Sequence, residues 1–172
     1  MLEVWQGEWG VIDKGALAAQ PIAPGRIDRD GSMQKIEELD GPYRLSRVLL
    51  VDDTQENRSL MKLLLARQPL VIDEAGNGSE ALELFKRNEY ALVLMDIQMP
   101  VMDGFAATRM IRSIEESSGR RRTPVVALTA HSYESDIRKC SEAGCDDHIA
   151  KPFKKTGLLQ CLARYLPGIE HG

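Results

Sequence analysis

From position 47 onward, the chain alternates short apolar runs with longer segments in which apolar residues recur every three or four positions. Short continuous apolar runs are typical of strands buried on both faces, and the three-to-four spacing is typical of amphipathic helices. The predicted strands are residues 48–51, 70–72, 91–95, 125–128 and 148–150. Each run is followed by a helical pattern, which gives five strand–helix units.

Turn formers and polar caps set the expected helix limits. Thr54 and Ser79 are predicted to cap the first and second helices, and Gly104 to open the third. A fourth helix is expected over 132–143, and the last helix is expected to run through Tyr165. In the first helix, the leucines at helical spacing predict the apolar face; they are Leu60, Leu63 and Leu64.

This alternation predicts an α/β fold. Connections this short imply right-handed crossovers between parallel strands, with helices on both faces of the sheet. The chain is too short for an eight-unit barrel. The prediction is therefore a doubly wound five-stranded parallel sheet of the flavodoxin-like order 2-1-3-4-5, an order taken over from known sheets of this size.

The 172 residues, 43% of them apolar, suit one domain with additional length. Residues 1–44 hold both tryptophans, Trp5 and Trp9, and a Gly/Pro-rich run, so they are predicted to be an arm or linker. The alternative is that the tryptophans dock on the domain or on a partner. Residues 45–168 are expected to form the domain and 169–172 a tail.

Charge and cysteine content exclude several classes of protein. A net charge of −4 gives no basic surface for nucleic acid. No apolar run approaches the roughly 20 residues of a membrane span, so no membrane contact is expected. Three cysteines without a C-x-x-C pair fit a reducing compartment, and we expect a cytoplasmic location. The spacing of Cys140, Cys145, His131 and His148 is poor for zinc.

Acidic residues follow two of the predicted strands. Asp52 and Asp53 end the first strand and Asp96 ends the third, and these strands are neighbours in the predicted order. Carboxylates crowded at one edge repel each other and need a cation. Oxygen-only ligands open to water suit Mg²⁺, so the sequence predicts a magnesium site.

Thr129 and Lys151 follow the fourth and fifth strands and should reach the same edge. Three acids, a hydroxyl and an ammonium together suit the formation of an acyl phosphate. Asp96 is the predicted nucleophile; Mg²⁺ and Lys151 would neutralise the phosphoryl oxygens, and Thr129 would donate a hydrogen bond to one of them. Each of these residues alone is common at the end of a strand, and only their combination points to acyl phosphate chemistry.

These motifs resemble the receiver domain of two-component response regulators, and most of all the receivers fused to hybrid sensor histidine kinases. The similar segments are VLLVDDTQENR, EAGNGSEALELF, ALVLMDIQMPVMDG, PVVALTA and DDHIAKPF, within about Arg47 to Leu166. The resemblance implies that Asp96 accepts a phosphoryl group. It also implies that Asp53, Asp96 and the backbone carbonyl of Gln98 bind Mg²⁺, with Asp52 acting partly through water.

The resemblance assigns further roles around the phosphoryl group. Thr129 and Lys151 contact it, and Lys151 precedes Pro152 in a cis peptide bond. Gln98 and His131 are expected to tune its lifetime. His148 stands where such domains often carry a switching Tyr or Phe; a switching role and a half-buried histidine without one both stay open.

A histidine kinase or a histidine phosphotransfer protein is the implied partner. It would dock on the face of helix 1, for which the sequence offers Arg58, Met61, Lys62 and Leu65. A homodimer, a stand-alone receiver and a piece of a hybrid kinase all stay open. The short stretch after Lys151 leaves too little chain for a DNA-binding output module, so direct transcription control is not expected.

Two other functions compete with a phosphorylated switch. A pseudo-receiver would be an interaction module without phosphorylation, but the acids and lysine that such modules lack are present here. A phosphatase of the haloacid dehalogenase type would carry a second Asp two residues after the nucleophile, where this chain has Gln98. The chain is therefore expected not to be an enzyme in its own right. The arginine-rich 117–122 segment is predicted to be a solvated loop, with docking of an acidic partner as the alternative.

Overall fold

The structure, a computed structural model, describes residues 45–130 and 134–169. The predictions for residues 1–44, Trp5 and Trp9 among them, and for His131 lie outside these ranges. The elements, in chain order, are β1 Ser46–Val51, α1 Gln55–Leu65, β2 Leu70–Ala75, α2 Gly78–Arg87, β3 Leu92–Asp96, α3 Gly104–Ser118, β4 Val125–Thr129, α4 Glu134–Ala143, β5 Asp147–Ala150 and α5 Lys155–Ala163.

The five strands form one parallel sheet in the order β2-β1-β3-β4-β5, as predicted. The strand order reverses between β1 and β3, where Val51 pairs with Met95. On the other side of β3, Asp96 pairs with Leu128, and Thr129 pairs with Ala150 of β5. The register therefore brings the residues that end β1, β3, β4 and β5 to one edge of the sheet, its C-terminal edge.

Helices cover both faces of the sheet, which explains the continuous apolar runs of the central strands. α1 and α5 pack on one face through Met61, Leu65 and Leu158. α2 and α3 pack on the other face through residues such as Phe85 and Ile111, and α4 adds the buried Cys140 to the same side. Every residue of β3 and β4 is buried.

The predicted apolar face of α1 is wrong by one position. Met61 and Leu65 are the buried residues of this helix, whereas Leu60 is 48% exposed and Leu63 is 73% exposed. Leu64 packs against the core in part. The leucines of α1 occupy more than one side of the helix, so spacing alone did not identify the buried side.

The predicted N-cap of α2 is wrong, whereas the N-cap of α1 is at the predicted residue but makes no side-chain cap hydrogen bond. α2 begins at Gly78, and its cap is the side chain of Asn77, which accepts a hydrogen bond from the backbone N–H of Glu80. Thr54 occupies the N-cap position of α1, but its hydroxyl donates to the carboxylate of Asp53. The last helix ends at Ala163, before Tyr165.

The arginine-rich segment is partly the exposed loop that was predicted, but its first residues are helical and two of its arginines contact other parts of the fold. α3 continues to Ser118, and Arg120 then donates to the backbone carbonyl of Phe85 at the end of α2, at 2.8 Å. Arg122 forms an ion pair with Asp146 at 3.0 Å, and Arg121 is exposed. Two of the three arginines thus connect elements of the fold, which the sequence pattern did not show.

Within the described ranges, none of the helices combines the length and the hydrophobicity that crossing a membrane requires.

Candidate functional site

Three carboxylates meet at the C-terminal edge of the sheet, as predicted. Asp52 follows β1 directly and Asp96 ends β3, and these two strands are paired. One oxygen each from Asp52, Asp53 and Asp96 lies within 4.8 Å of the others. Asp52 and Asp96 are buried, whereas Asp53 is exposed, so the cluster opens to solvent on the side of Asp53.

Lys151 brings the positive charge to this cluster. Its Nζ lies 2.6 Å from Oδ2 of Asp52 and 2.8 Å from Oδ2 of Asp96. Its backbone N–H donates to the carbonyl of Thr129, the buried last residue of β4. The Lys151–Pro152 peptide bond is cis, which confirms that prediction. The cluster therefore holds a single ammonium between two buried carboxylates.

Burial and charge act in opposite directions on these groups. Burial raises the pKa of the Asp96 carboxyl, and the hydrogen bond from Lys151 reverses only part of that rise. Burial opposes the charge on Lys151, but hydrogen bonds to Asp52 and Asp96 outweigh it and raise the pKa of the ammonium. Three carboxylates against one ammonium leave an excess of negative charge, which a divalent cation would offset.

The donor set fits Mg²⁺ better than a softer metal. The side chains that converge here offer carboxylate oxygens alone, and one of them faces solvent, where coordinating waters have access. In residues 45–130 and 134–169 the acid cluster is the one group of three or more His, Cys, Asp or Glu side chains that lie close enough to share a metal.

The loop between β3 and α3 fixes the backbone around Asp96. The N–H of Gln98 lies 3.3 Å from Oδ1 of Asp96, and the N–H of Gly104 donates to the carbonyl of Ile97. A Cβ at Gly104 would lie 2.1 Å from the backbone oxygen of Asp96. Gly104 therefore does more than open α3: its missing side chain lets the helix begin against the end of the strand.

Two residues that contact Asp52 were not predicted from the sequence. The side-chain Nδ2 of Asn57 lies 3.0 and 3.2 Å from the two carboxylate oxygens of Asp52. Arg58 donates to the backbone carbonyl of Asp52 at 2.6 Å and pairs with Glu74. One sequence signal could have identified them: both lie in the first turn of a helix that starts just after the acid pair.

The remaining predicted residues differ in how far the structure describes them. His148 is half-buried in β5, pairs in register with Ala127, and its N–H donates to the side chain of Asp147. A switching role for His148 and the tuning of phosphoryl lifetime by Gln98 and His131 stay predictions. So does metal binding by the backbone carbonyl of Gln98.

A model of the response regulator receiver domain matches residues 48–163 of the chain. The chain belongs to the response regulator receiver domain family. This confirms the predicted assignment to two-component signalling, in which receiver domains are generally non-enzymatic phosphoacceptors. Residues 1–44 lie outside the matched range.

Several curated relatives of this receiver domain are histidine kinases. "Probable histidine kinase 2" of Oryza sativa is 34% identical over 152 residues, which is 80% of this chain and 14% of the relative. "Hybrid signal transduction histidine kinase G" of Dictyostelium discoideum is 39% identical over 123 residues, 70% of this chain and 4% of the relative. The chain thus spans less than a fifth of the length of the histidine kinases it matches.

Solved receiver domains have the same fold. One is the receiver domain of a sensor histidine kinase from Pseudomonas aeruginosa, solved with a magnesium ion coordinated in the active-site cleft: 34% identity, TM-score 0.63, covering 71% of this chain and 98% of that one. Another is the receiver domain of Ssk1 from Saccharomyces cerevisiae, crystallised with the histidine phosphotransfer protein Ypd1: 30% identity, TM-score 0.67, covering 72% and 90%.

Proposed function

We propose that this receiver domain accepts a phosphoryl group on Asp96, with Mg²⁺ as its cofactor, and thereby switches a partner-binding surface. The observation that carries the proposal is the placement of the Lys151 ammonium between the carboxylates of Asp52 and Asp96, beside the solvent-exposed Asp53. The magnesium ion in the receiver domain from Pseudomonas aeruginosa supports the choice of metal.

The transfer makes one bond and breaks one. A carboxylate oxygen of Asp96 forms a bond to phosphorus, and the bond from phosphorus to the donor's histidine nitrogen breaks. Lys151 and the Thr129 hydroxyl would then pair with phosphoryl oxygens. Asp53, Asp96 and the Gln98 carbonyl would hold Mg²⁺, with Asp52 partly through water. The ion would neutralise charge that develops on the phosphoryl oxygens.

A conformational response would follow from the new contacts of Thr129. The phosphoryl group adds charge and hydrogen-bond acceptors at the end of β4. Thr129, at the end of β4, pairs in register with β5, the strand that carries His148. A change at Thr129 can therefore reach the surface that β5 forms with α4 and α5. The expected result is a population shift between two arrangements of this surface.

The first test is phosphoryl incorporation from acetyl phosphate. We expect the wild-type chain to take up an acid-stable, base-labile phosphoryl group in the presence of Mg²⁺, and chelation of the metal to abolish the uptake. Asp96→Asn should reduce uptake to background, because the amide is not a nucleophile. Labelling is measured with radioactive phosphodonor on denaturing gels.

Asp103→Asn is the matched control for this test. Asp103 lies on the same loop but caps α3 through the backbone N–H of Ala106, a role that asparagine also fills. This variant should be labelled like the wild type. Equal labelling of Asp96→Asn and wild type would exclude Asp96 as the acceptor, and an unlabelled wild type would favour the pseudo-receiver.

The proposed partner surface is the exposed side of α1. Leu60 and Leu63 are exposed apolar residues there, whereas Met61 and Leu65, which the sequence suggested for docking, are buried in the core. The complex of the Ssk1 receiver with Ypd1 supports a histidine phosphotransfer protein, or the similar domain of a histidine kinase, as the donor. Exposed apolar side chains on a helix favour such an interface.

Leu63→Glu should slow phosphotransfer from a protein donor by about 10-fold, because a charge would be buried in the interface. Labelling by acetyl phosphate should be unchanged. The donor is the member of a panel of phosphorylated histidine phosphotransfer proteins that reacts fastest with wild type. Met110→Glu, on the exposed side of α3, is the control. Transfer that is slowed equally by both substitutions would contradict the assignment of α1.

A stand-alone receiver and the receiver part of a hybrid kinase both stay open, since the relatives include histidine kinases and a transcriptional regulatory protein. The arm at 1–44, the tail at 169–172, the cytoplasmic location and a homodimer stay predictions. Size-exclusion chromatography of the chain with and without phosphorylation would test the homodimer.

A further inference from the structure

Asn57, in the first turn of α1, holds the carboxylate of Asp52. Its Nδ2 is 3.0 Å from Oδ1 and 3.2 Å from Oδ2 of Asp52. Because an ionised carboxylate only accepts hydrogen bonds, the nitrogen of the amide must face it. The backbone N–H of Thr54 donates to the same Oδ1 at 2.9 Å. The start of α1 therefore fixes the direction in which this carboxylate points.

The neutral amide and the ammonium of Lys151 act differently on Asp52. Lys151 lies 2.6 Å from Oδ2 and cancels negative charge, and it is bound at the same time by Asp96. Asn57 satisfies the hydrogen bonding of a carboxylate that is only 1% exposed, but it leaves the charge in place. A cationic residue at position 57 would remove the charge that attracts a metal.

We infer that Asn57 is a positioning residue of the Mg²⁺ site: it orients the buried Asp52 carboxylate toward the metal while it preserves its charge. The inference rests on the proposed function, because it requires that the acid cluster binds Mg²⁺. Partners that orient metal ligands from outside the coordination sphere commonly change metal affinity by 10–100-fold when they are removed.

Metal affinity of the full chain tests the inference without any phosphorylation. Mn²⁺ serves as the probe, since the electron paramagnetic resonance signal of the free ion reports binding, and Mg²⁺ is measured by competition. We expect Asn57→Leu and Asn57→Ser to lower the affinity of the chain for both ions about 10-fold. Ser59→Ala, an exposed position on the same helix, should bind like wild type. Circular dichroism of the metal-free variants checks that they fold.

A double-mutant comparison separates positioning from a general effect on structure. In an Asp52→Asn background, Asn57→Ser should not lower the Mn²⁺ affinity further, because the carboxylate that Asn57 orients is gone. A second 10-fold loss in that background would overturn the inference, as would Asn57 variants that bind Mn²⁺ within about 2-fold of wild type. A wild type that binds neither ion would instead refute the Mg²⁺ role in the proposed function, and the inference with it.

Discussion

Gly104→Ala is expected to lower the free energy of unfolding by about 3 kcal/mol or more, since overpacking of a buried site costs about 1–3 kcal/mol and severe clashes cost more. The added Cβ would lie 2.1 Å from the backbone oxygen of Asp96 and 2.9 Å from Cα of Ile97. Both atoms belong to the backbone at the end of a buried strand, so neither can move aside as a flexible side chain would. Urea unfolding followed by circular dichroism measures the loss.

Gly157→Ala is the control for this prediction. Gly157 lies inside α5, and a Cβ there would meet nothing within 4 Å. Alanine is the better helix former, so this variant should be more stable than wild type by about 0.5–1 kcal/mol. If Gly104→Ala unfolded within about 0.5 kcal/mol of wild type, the close approach of α3 to the end of β3 would be wrong.

Lys151→Met is expected to lower the stability of the metal-free chain by about 2–3 kcal/mol. Loss of one partner from a fully buried ion pair costs about 3–5 kcal/mol, and the smaller value applies because the Lys151 side chain remains 22% exposed. The substitution leaves Asp52 and Asp96 buried together without their ammonium. Mg²⁺ should therefore stabilise this variant more than it stabilises wild type, because the ion replaces the missing charge.

Urea unfolding with and without saturating MgCl₂ measures this difference between the two chains. Lys86→Met is the control, since Lys86 pairs with Glu83 at an exposed site. Its effect should be below about 1 kcal/mol and independent of Mg²⁺. A Lys151→Met chain as stable as wild type, or one indifferent to Mg²⁺, would contradict the proposed electrostatics of the site.

The acid cluster could be predicted because it follows from local patterns, once the sheet order had been taken over from known sheets of this size. Each strand is a continuous apolar run, and Asp52, Asp96, Thr129 and Lys151 come directly after or at the end of such a run. In a parallel sheet all strand ends that precede a crossover helix share one edge. The position of each of these residues at the end of a strand was therefore enough to predict that it lies at the site.

Features that depend on packing between distant elements could not be predicted in this way. The buried side of α1 depends on how the helix lies on the sheet, and its many leucines gave no unique answer. The contact of Arg120 with the end of α2 joins residues far apart in sequence. The clash that excludes a side chain at Gly104 arises from the approach of α3 to β3.

The contact of Asn57 with Asp52 at the site could not be predicted from the sequence either. The spacing of Asn57 from Asp52 is compatible with a contact, but many polar residues in a first helical turn face solvent. Only the direction in which α1 leaves the sheet turns its amide toward the carboxylate. The candidate metal ligands could thus be predicted from the sequence, whereas the contact of Asn57 with Asp52 could not.

Direct localisation of the phosphoryl group tests whether Asp96 is the phosphoacceptor. The wild-type chain is incubated with acetyl phosphate and Mg²⁺, the acyl phosphate is reduced with borohydride, and peptides are sequenced by mass spectrometry. Borohydride converts a phosphorylated aspartate to homoserine, and we expect homoserine at position 96 and unmodified aspartate at 52, 53 and 103. Homoserine at one of those three positions with none at 96 would contradict the assignment of Asp96.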